Sequence, residues 1–323
     1  MAATKRRDFL TLAGLGLLDA SPRMLGQPDV ATMRSRFDRL RDLDNYLGGA
    51  DTFRLYGTEL AHTERLLNEG RYSAATRIAL TELAAEQAQQ AGWAAFDAGH
   101  PAPALQLFEY SRRAADDAGS SDLVANSFVH IAYASDADEA TRAADAARHA
   151  LPVDAAPTTL ALVATRRAWS YAVAGDAQGA ERALDEAWTS LESSSATDAP
   201  HWSSWVDSKE IEIMTGRVWA VLHVPDKAVP ALEIALANYP DQWARDKALY
   251  STWLADAYID AGAIDQAASV LNHAITLADP VASVRPANRI KEVVRRLTGY
   301  DLPAVASLTE RAAKINPPLV ALL

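Results

Sequence analysis

Cysteine is absent from this chain of 323 residues. Disulfides, thiolate metal sites and cysteine nucleophiles are therefore excluded, and packing alone must stabilise the fold. Long apolar runs are lacking too, since no stretch approaches the roughly 20 residues that a helix needs to span a bilayer. The sequence therefore predicts a folded protein that is not integral to a membrane.

Positive charge is in short supply. The chain has 31 Lys and Arg against 42 Asp and Glu, for a formal net charge of -11. Such a balance repels a phosphate backbone, and no local basic patch compensates for it. We therefore expect no direct binding of nucleic acid by this chain.

Runs of β-branched residues, which would indicate strands, are also missing. Helix-forming residues dominate, while 15 Gly and 15 Pro fall at intervals along the chain. This composition predicts an all-α protein, and its 49% hydrophobic residues are enough for a substantial core.

A pattern of six positions recurs along the chain. It runs from a small residue through an aromatic or large apolar residue three later, a turn residue, an alanine, a second large residue and a second small residue. The best copies cover residues 92–111, 168–187 and 255–274, and weaker copies cover 128–147 and 216–235. A sixth copy near Gly70 fits less well. The pattern is that of the tetratricopeptide repeat.

The alanines of the predicted second helices, Ala104, Ala140, Ala180, Ala228 and Ala267, are 36 to 48 residues apart, against about 34 in a standard repeat. The longest interval contains a polar loop and two tryptophans, which we interpret as an insertion. The expected fold is an all-α solenoid of about five tetratricopeptide-like hairpins forming a right-handed superhelix.

Both ends of the repeat array look like caps. We expect an amphipathic helix stopped by Gly48 and Gly49, and two C-terminal helices, one ending at Gly299 and one over 302–314. The predicted organisation is an N-terminal segment 1–27, a capping helix in 28–50, repeats over 51–279, and capping helices with a tail over 280–323.

Several segments resemble the C-terminal tetratricopeptide region of actinobacterial helix-turn-helix regulators of the Xre type. They are "RRDFL" at 6–10, "LGG" at 47–49, "AGWAAFDAG" at 91–99 and "HWSSWVDSKEIEIMTGR" at 201–217. The resemblance implies a regulatory sensing region. In such regulators a DNA-reading domain precedes the "RRDFL" junction, and here Met1 lies only a few residues before it, so the resemblance implies no DNA binding for this chain.

Residues 1–27 allow a second interpretation. Arg6, Arg7, Phe9 and Leu10 before a short apolar stretch resemble a twin-arginine export signal. Asp19 ends that stretch and no clear cleavage site follows, so we favour a cytoplasmic protein and keep export as the alternative.

Catalytic and metal-binding patterns are not found. The seven histidines have no metal-ligand spacing, and no nucleophile elbow or phosphate-binding glycine loop is present. We therefore expect neither an enzyme nor a cofactor.

The concave face of the solenoid is the predicted binding surface, because the first helices of stacked hairpins line it. Counting from the small residue of each repeat gives the candidate binding residues Glu86, Gln89, Trp93, Phe96, Asp97, Tyr133, Trp169, Glu210, Arg217 and Asp256. The same offsets add Asp122, Thr165, Thr252 and Asp260. This lining is aromatic and acidic, which predicts a cationic ligand or one that carries an apolar group beside a basic one.

The sequence thus predicts a non-catalytic binding module with a regulatory role. Its expected partner is a protein, a peptide or a small molecule, with homodimerisation left open. The alternative is an exported scaffold or solute-binding protein.

Overall fold

The computed structural model of the chain describes residues 24–44, 49–193, 198–237, 239–279, 283–300 and 303–315. Within these ranges the protein is all-α, with fourteen helices and one pair of two-residue strands. The strands are β1 (Met24–Leu25) and β2 (Arg71–Tyr72), which pair in parallel. The helices are α1 (Gln27–Asp44), α2 (Gly49–Glu69), α3 (Ala74–Asp97), α4 (Pro101–Asp117), α5 (Ser121–Ala134), α6 (Ala137–Ala150), α7 (Pro157–Val173), α8 (Ala177–Glu192), α9 (Ser208–Val221), α10 (Pro225–Ala237), α11 (Ala244–Asp260), α12 (Ile264–Ala278), α13 (Val284–Leu297) and α14 (Pro303–Lys314).

Short polar residues fix the starts of several helices. Ser73, Asp136, Asp176 and Asp207 each accept a hydrogen bond from the backbone N–H three residues further on, at 2.8–3.1 Å. Such N-caps satisfy one of the N–H groups that a helix leaves unpaired at its start.

Consecutive helices pair into hairpins: α3 with α4, α5 with α6, α7 with α8, α9 with α10, and α11 with α12. These are the five predicted hairpins, each with its first helix packed against the first helix of the next hairpin. The prediction of an all-α solenoid of hairpins is confirmed.

The small residue of the first repeat, Gly92, allows the two helices of its hairpin to approach closely. A Cβ atom built on Gly92 would lie 2.5 Å from Cε1 and 2.7 Å from Cδ1 of Phe108, which is fully buried on α4. Gly216 stands in the same relation to Leu232 in the fourth hairpin. In both repeats these are the first small residue and the second large residue of the pattern.

The predicted turn positions carry a left-handed backbone in four of the five hairpins. Gly99, Gly175 and Gly262 have φ between 74° and 89°, and His223 takes φ 57° at the equivalent position. Glycine adopts this conformation without the steric cost that other residues incur. At the remaining position Ser135 ends α5 in an extended conformation.

The ends of the solenoid are capped by helices, with one difference from expectation. Gly49 does not stop the first helix; it begins α2, which packs against α3. Glycine suits this position because α2 begins close to the end of α3. A Cβ on Gly49 would lie 2.8 Å from the Cβ of Asp97. At the other end α13 and α14 pack on α12, and Ile290, Val293 and Leu297 are fully buried. Residues 1–23, including the twin-arginine-like segment, lie outside the described residues.

Candidate functional site

The first helices of the hairpins surround a cavity of about 490 Å³. This volume lies in the range of about 300–1,000 Å³ that is usual for ligand pockets. Its lining comes from α1, α3, α5, α7, α9, α11 and α13, and from the segments that precede α9 and α11.

The segment before α9, within the predicted insertion, crosses the concave side. Trp202 packs against a core cluster of α3, α4 and α5 and also against the cluster formed by α7, α8 and α9. The hydroxyl of Ser203, which is fully buried, lies 2.8 Å from that of Thr159 on α7. Trp205 remains 53% exposed while lining the cavity. This segment therefore links the third and fourth hairpins back to the first.

Asp97, at the end of α3, closes the solenoid on itself. Its carboxylate accepts hydrogen bonds from the backbone N–H of Gly49 at 3.0 Å and from the hydroxyl of Ser283 at 2.8 Å, and it lies 3.5 Å from the guanidinium of Arg285. The Arg285 side chain also stacks on Trp93, 4.8 Å from the ring centroid. Because Asp97 is fully buried, these contacts hold the first hairpin against the start of α13.

One wall of the cavity is an aromatic cluster around Trp93. Its ring centroid lies 5.6 Å from that of Tyr133 and 5.5 Å from that of His130, and His130 stacks on Phe108 at 5.0 Å. Burial lowers the pKa of His130 to about 4, so the imidazole is neutral at physiological pH.

A second aromatic cluster in the lining contains Tyr239, Trp243 and Tyr250. Tyr239 makes edge contacts with both other rings, at centroid distances of 5.6 and 5.7 Å. Burial, and then neighbouring ionised groups, raise the pKa of Tyr239 and Tyr250 well above the ordinary value, so both hydroxyls keep their protons. Trp243 is 37% exposed.

Five arginines line the cavity, and four of them have a carboxylate partner within 4 Å. Arg41 pairs with Asp38 and Glu86, Arg166 with Glu210, Arg245 with Asp246, and Arg285 with Asp97. The fifth, Arg217, has no carboxylate partner among the residues that the structure describes. Its guanidinium instead stacks on Trp169 at 4.5 Å and lies near Tyr250 and Trp253 at 5.7 and 5.9 Å.

Of the ten candidate residues, four line this cavity: Trp93, Tyr133, Glu210 and Arg217. Trp169 is half-buried and reaches the site through its contact with Arg217. Phe96 is half-buried beside Trp93, with 5.6 Å between the ring centroids.

Four further candidates serve packing rather than the cavity. Gln89 is saturated by hydrogen bonds with Leu123, Asn126 and Ser127, which tie α3 to α5. Asp97 closes the solenoid, as described above.

The remaining two are held in ion pairs. Glu86 pairs with Arg34 and Arg41, and lines only a smaller pocket next to Trp202. Asp256 is buried between Arg289 and Arg296.

The expectation of an acidic lining is therefore corrected. Asp260, from the wider set, pairs with Arg296 and His223, and Thr165 and Thr252 bond backbone carbonyls of their own helices. Asp122 borders the smaller pocket, where burial and the charge of Asp154 raise its pKa. Because the acids next to the cavity are neutralised by arginines, its lining is aromatic and basic.

Sequence reasoning missed several lining residues that share one position. Gln90, Asn126 and Arg166 each lie two residues before the first pattern position of their repeat, which is Gly92, Phe128 or Ala168, and all three line the cavity. Counting back two residues from that position would have identified these three lining residues. Arg245 and Arg285 lie outside the repeat pattern, so no repeat offset could have found them.

Comparison of the chain with protein-family models and with curated proteins finds no match. Among the described residues, no helix is both long enough and apolar enough to cross a membrane. The same part of the chain holds no cluster of His, Asp and Glu arranged to bind a metal ion.

Proposed function

We propose that this chain is a non-catalytic binding module that takes a small molecule, a peptide or a segment of a partner protein into its concave cavity. The observation that carries the proposal is the open cavity of about 490 Å³ bordered by the first helices, with exposed tryptophans among its lining. Concave sites lined by aromatic rings with a few convergent polar groups are the usual form of ligand pockets.

A regulatory role is the context that we favour, because of the resemblance to the sensing region of Xre-type regulators. In this proposal the protein acts in the cytoplasm and influences transcription through a partner rather than by reading DNA itself. The alternative, an exported scaffold or solute-binding protein, is favoured by the arginine pair Arg6 and Arg7. Sequencing the N-terminus of the mature protein separates the two, since a start well beyond Ser21 would support export.

The binding function is tested by a thermal-shift screen of metabolites and short peptides. We expect at least one compound to raise the melting temperature of the wild type and of Tyr300→Ala, but not of Trp243→Ala. Both side chains are exposed aromatics, at 43% and 37%, but only Trp243 lines the cavity. If no compound distinguishes the two variants, binding in this cavity is refuted.

The regulatory part is tested in cells. Replacing the gene by the Trp243→Ala variant is expected to change the same transcripts as deleting it, while the Tyr300→Ala variant leaves them unchanged. Unaltered transcripts in the deletion strain would refute the regulatory role without affecting the binding proposal.

A further inference from the structure

Arg217 is the starting point, because its environment is unusual for a cation. The residue is only 5% exposed, and its Nε atom is buried without a hydrogen-bond partner. One Nη atom donates to the sulfur of Met214, at 3.1 Å, which is a weak acceptor. A buried guanidinium is normally compensated by a carboxylate, so Arg217 contributes an uncompensated positive charge to the cavity.

The other charges of the cavity do not cancel it. Each of the four remaining lining arginines has its own carboxylate, and each lining carboxylate, Glu210 and Asp246, is held by an arginine. The positive electrostatic potential of these arginines acts on Tyr133. Burial alone would raise the pKa of Tyr133, but Arg166, Arg217 and Arg285 lower it below the ordinary value. Arg217 is therefore the one lining arginine that has no carboxylate of its own among the described residues.

Hydrogen-bond donors accompany this charge. Tyr133, Tyr239 and Tyr250 line the cavity, and no hydrogen bond joins their hydroxyls to another described residue. Since Tyr239 and Tyr250 keep their protons, both can donate to an acceptor in the cavity. Tyr250 also lies against the guanidinium of Arg217.

We infer that the cavity binds a small organic monoanion, a carboxylate joined to an aromatic or apolar body, with the carboxylate on Arg217 and the body against the aromatic walls. This inference rests on the proposed function and names its ligand class. A planar carboxylate matches the fork of a guanidinium. One unpaired arginine favours a monoanion, because the second charge of a phosphate would find no further unpaired arginine in a cavity that also contains Glu210 and Asp246.

A purely structural role for Arg217 makes a different prediction. If its charge served only to stack on Trp169 and Trp253, removing it would destabilise the fold and leave ligand selectivity unchanged. If it serves to bind an anion, Arg217→Met removes an unpaired buried charge and keeps much of the apolar contact, so the melting temperature is retained within a few degrees while anion binding is lost.

The test uses four probes of the same body: 3-phenylpropanoate, its neutral amide, 3-phenylpropylamine and phenylethyl phosphate. Binding to the full chain is measured by calorimetry. We expect the carboxylate to bind at least tenfold more tightly than each of the other three, and Arg217→Met to abolish that preference.

Arg289→Met is the matched control, because it makes the same replacement outside the cavity. Arg289 stacks on Trp253, the ring that Arg217 also approaches, but it pairs with Asp256 and does not line the cavity. This variant should lose stability and keep the preference for the carboxylate.

Three results would overturn the inference: equal affinity for acid and amide, an unchanged preference in Arg217→Met, or no binding of the carboxylate. Tighter binding of the phosphate would overturn the choice of a monoanion. None of these touches the proposed function, which fails only if the thermal-shift screen finds no ligand sensitive to Trp243→Ala.

Discussion

Replacing Gly92 by alanine tests whether the hairpins pack as described. The added methyl would lie 2.5 and 2.7 Å from two atoms of the Phe108 ring, distances at which the ring must move. The ring is fully buried and also stacks on His130 at 5.0 Å, so it has little room to move. Overpacking of this kind costs about 1–3 kcal/mol, while exchanging glycine for alanine in a helix returns up to about 1 kcal/mol. We expect a net loss of about 1–2 kcal/mol.

Gly57→Ala provides the matched control, because the same exchange is made where there is room. Gly57 lies inside α2, and a Cβ there would meet no atom within 4 Å. Only the gain in helix propensity remains, so this variant should be more stable than the wild type by about 0.5–1 kcal/mol. The two alanine exchanges are therefore expected to have opposite signs.

Urea unfolding followed by helical circular dichroism measures both variants. A third protein, Gly92→Ala with Phe108→Leu, checks the cause, because the smaller side chain relieves the overlap. Its loss should fall short of the sum of the single losses by about 1 kcal/mol or more. Equal stabilisation by Gly92→Ala and Gly57→Ala, or strict additivity in the double variant, would refute the packing argument.

Three other predictions concern a buried acid, a half-buried histidine and a turn. Asp97→Ala should cost about 3 kcal/mol in urea unfolding and accelerate amide exchange at the start of α13, because it leaves the donors of Gly49 and Ser283 unpaired; unchanged exchange there would count against closure. His130 has a pKa of about 4 in the fold against an ordinary 6.5. The stability that depends on its neutral form is therefore complete above pH 6.5 and is lost as the pH falls toward 4. The loss in unfolding free energy amounts to about 3 kcal/mol. His130→Gln should flatten this part of the curve of unfolding free energy against pH, and a parallel curve would contradict the shift. Gly262→Ala should cost about 1 kcal/mol through its positive φ alone, since its Cβ would meet no atom within 4 Å; a stability equal to the wild type would contradict this.

The hairpins could be predicted from the sequence because their signals are local. Spacing between a small residue, a turn residue and the second large residue fixes how two neighbouring helices pack, and Gly92 with Phe108 obeys it. Even His223 was placed at the turn by position alone, although its type does not indicate a left-handed backbone.

The character of the candidate site could not be predicted in the same way. The pairing of Asp256 with Arg289 and of Asp97 with Ser283 spans 33 and 186 residues, and no repeat spacing connects such positions. The repeat position therefore predicted that such a carboxylate was free to bind a ligand, whereas an arginine distant in the sequence neutralises it. Arg217 was among the predicted residues, but only the structure reveals that it lacks a partner.

Closure of the solenoid through Asp97 has a consequence for the order of folding. In an open array each repeat contacts only its neighbours, so folding can start anywhere and the terminal repeats fray first. Here a contact across 186 residues makes the first hairpin and α13 neighbours. The loop-closure entropy of this contact is large unless the intervening hairpins have already formed, so closure comes last in folding. Once it has formed, α13 and the first hairpin protect each other from fraying.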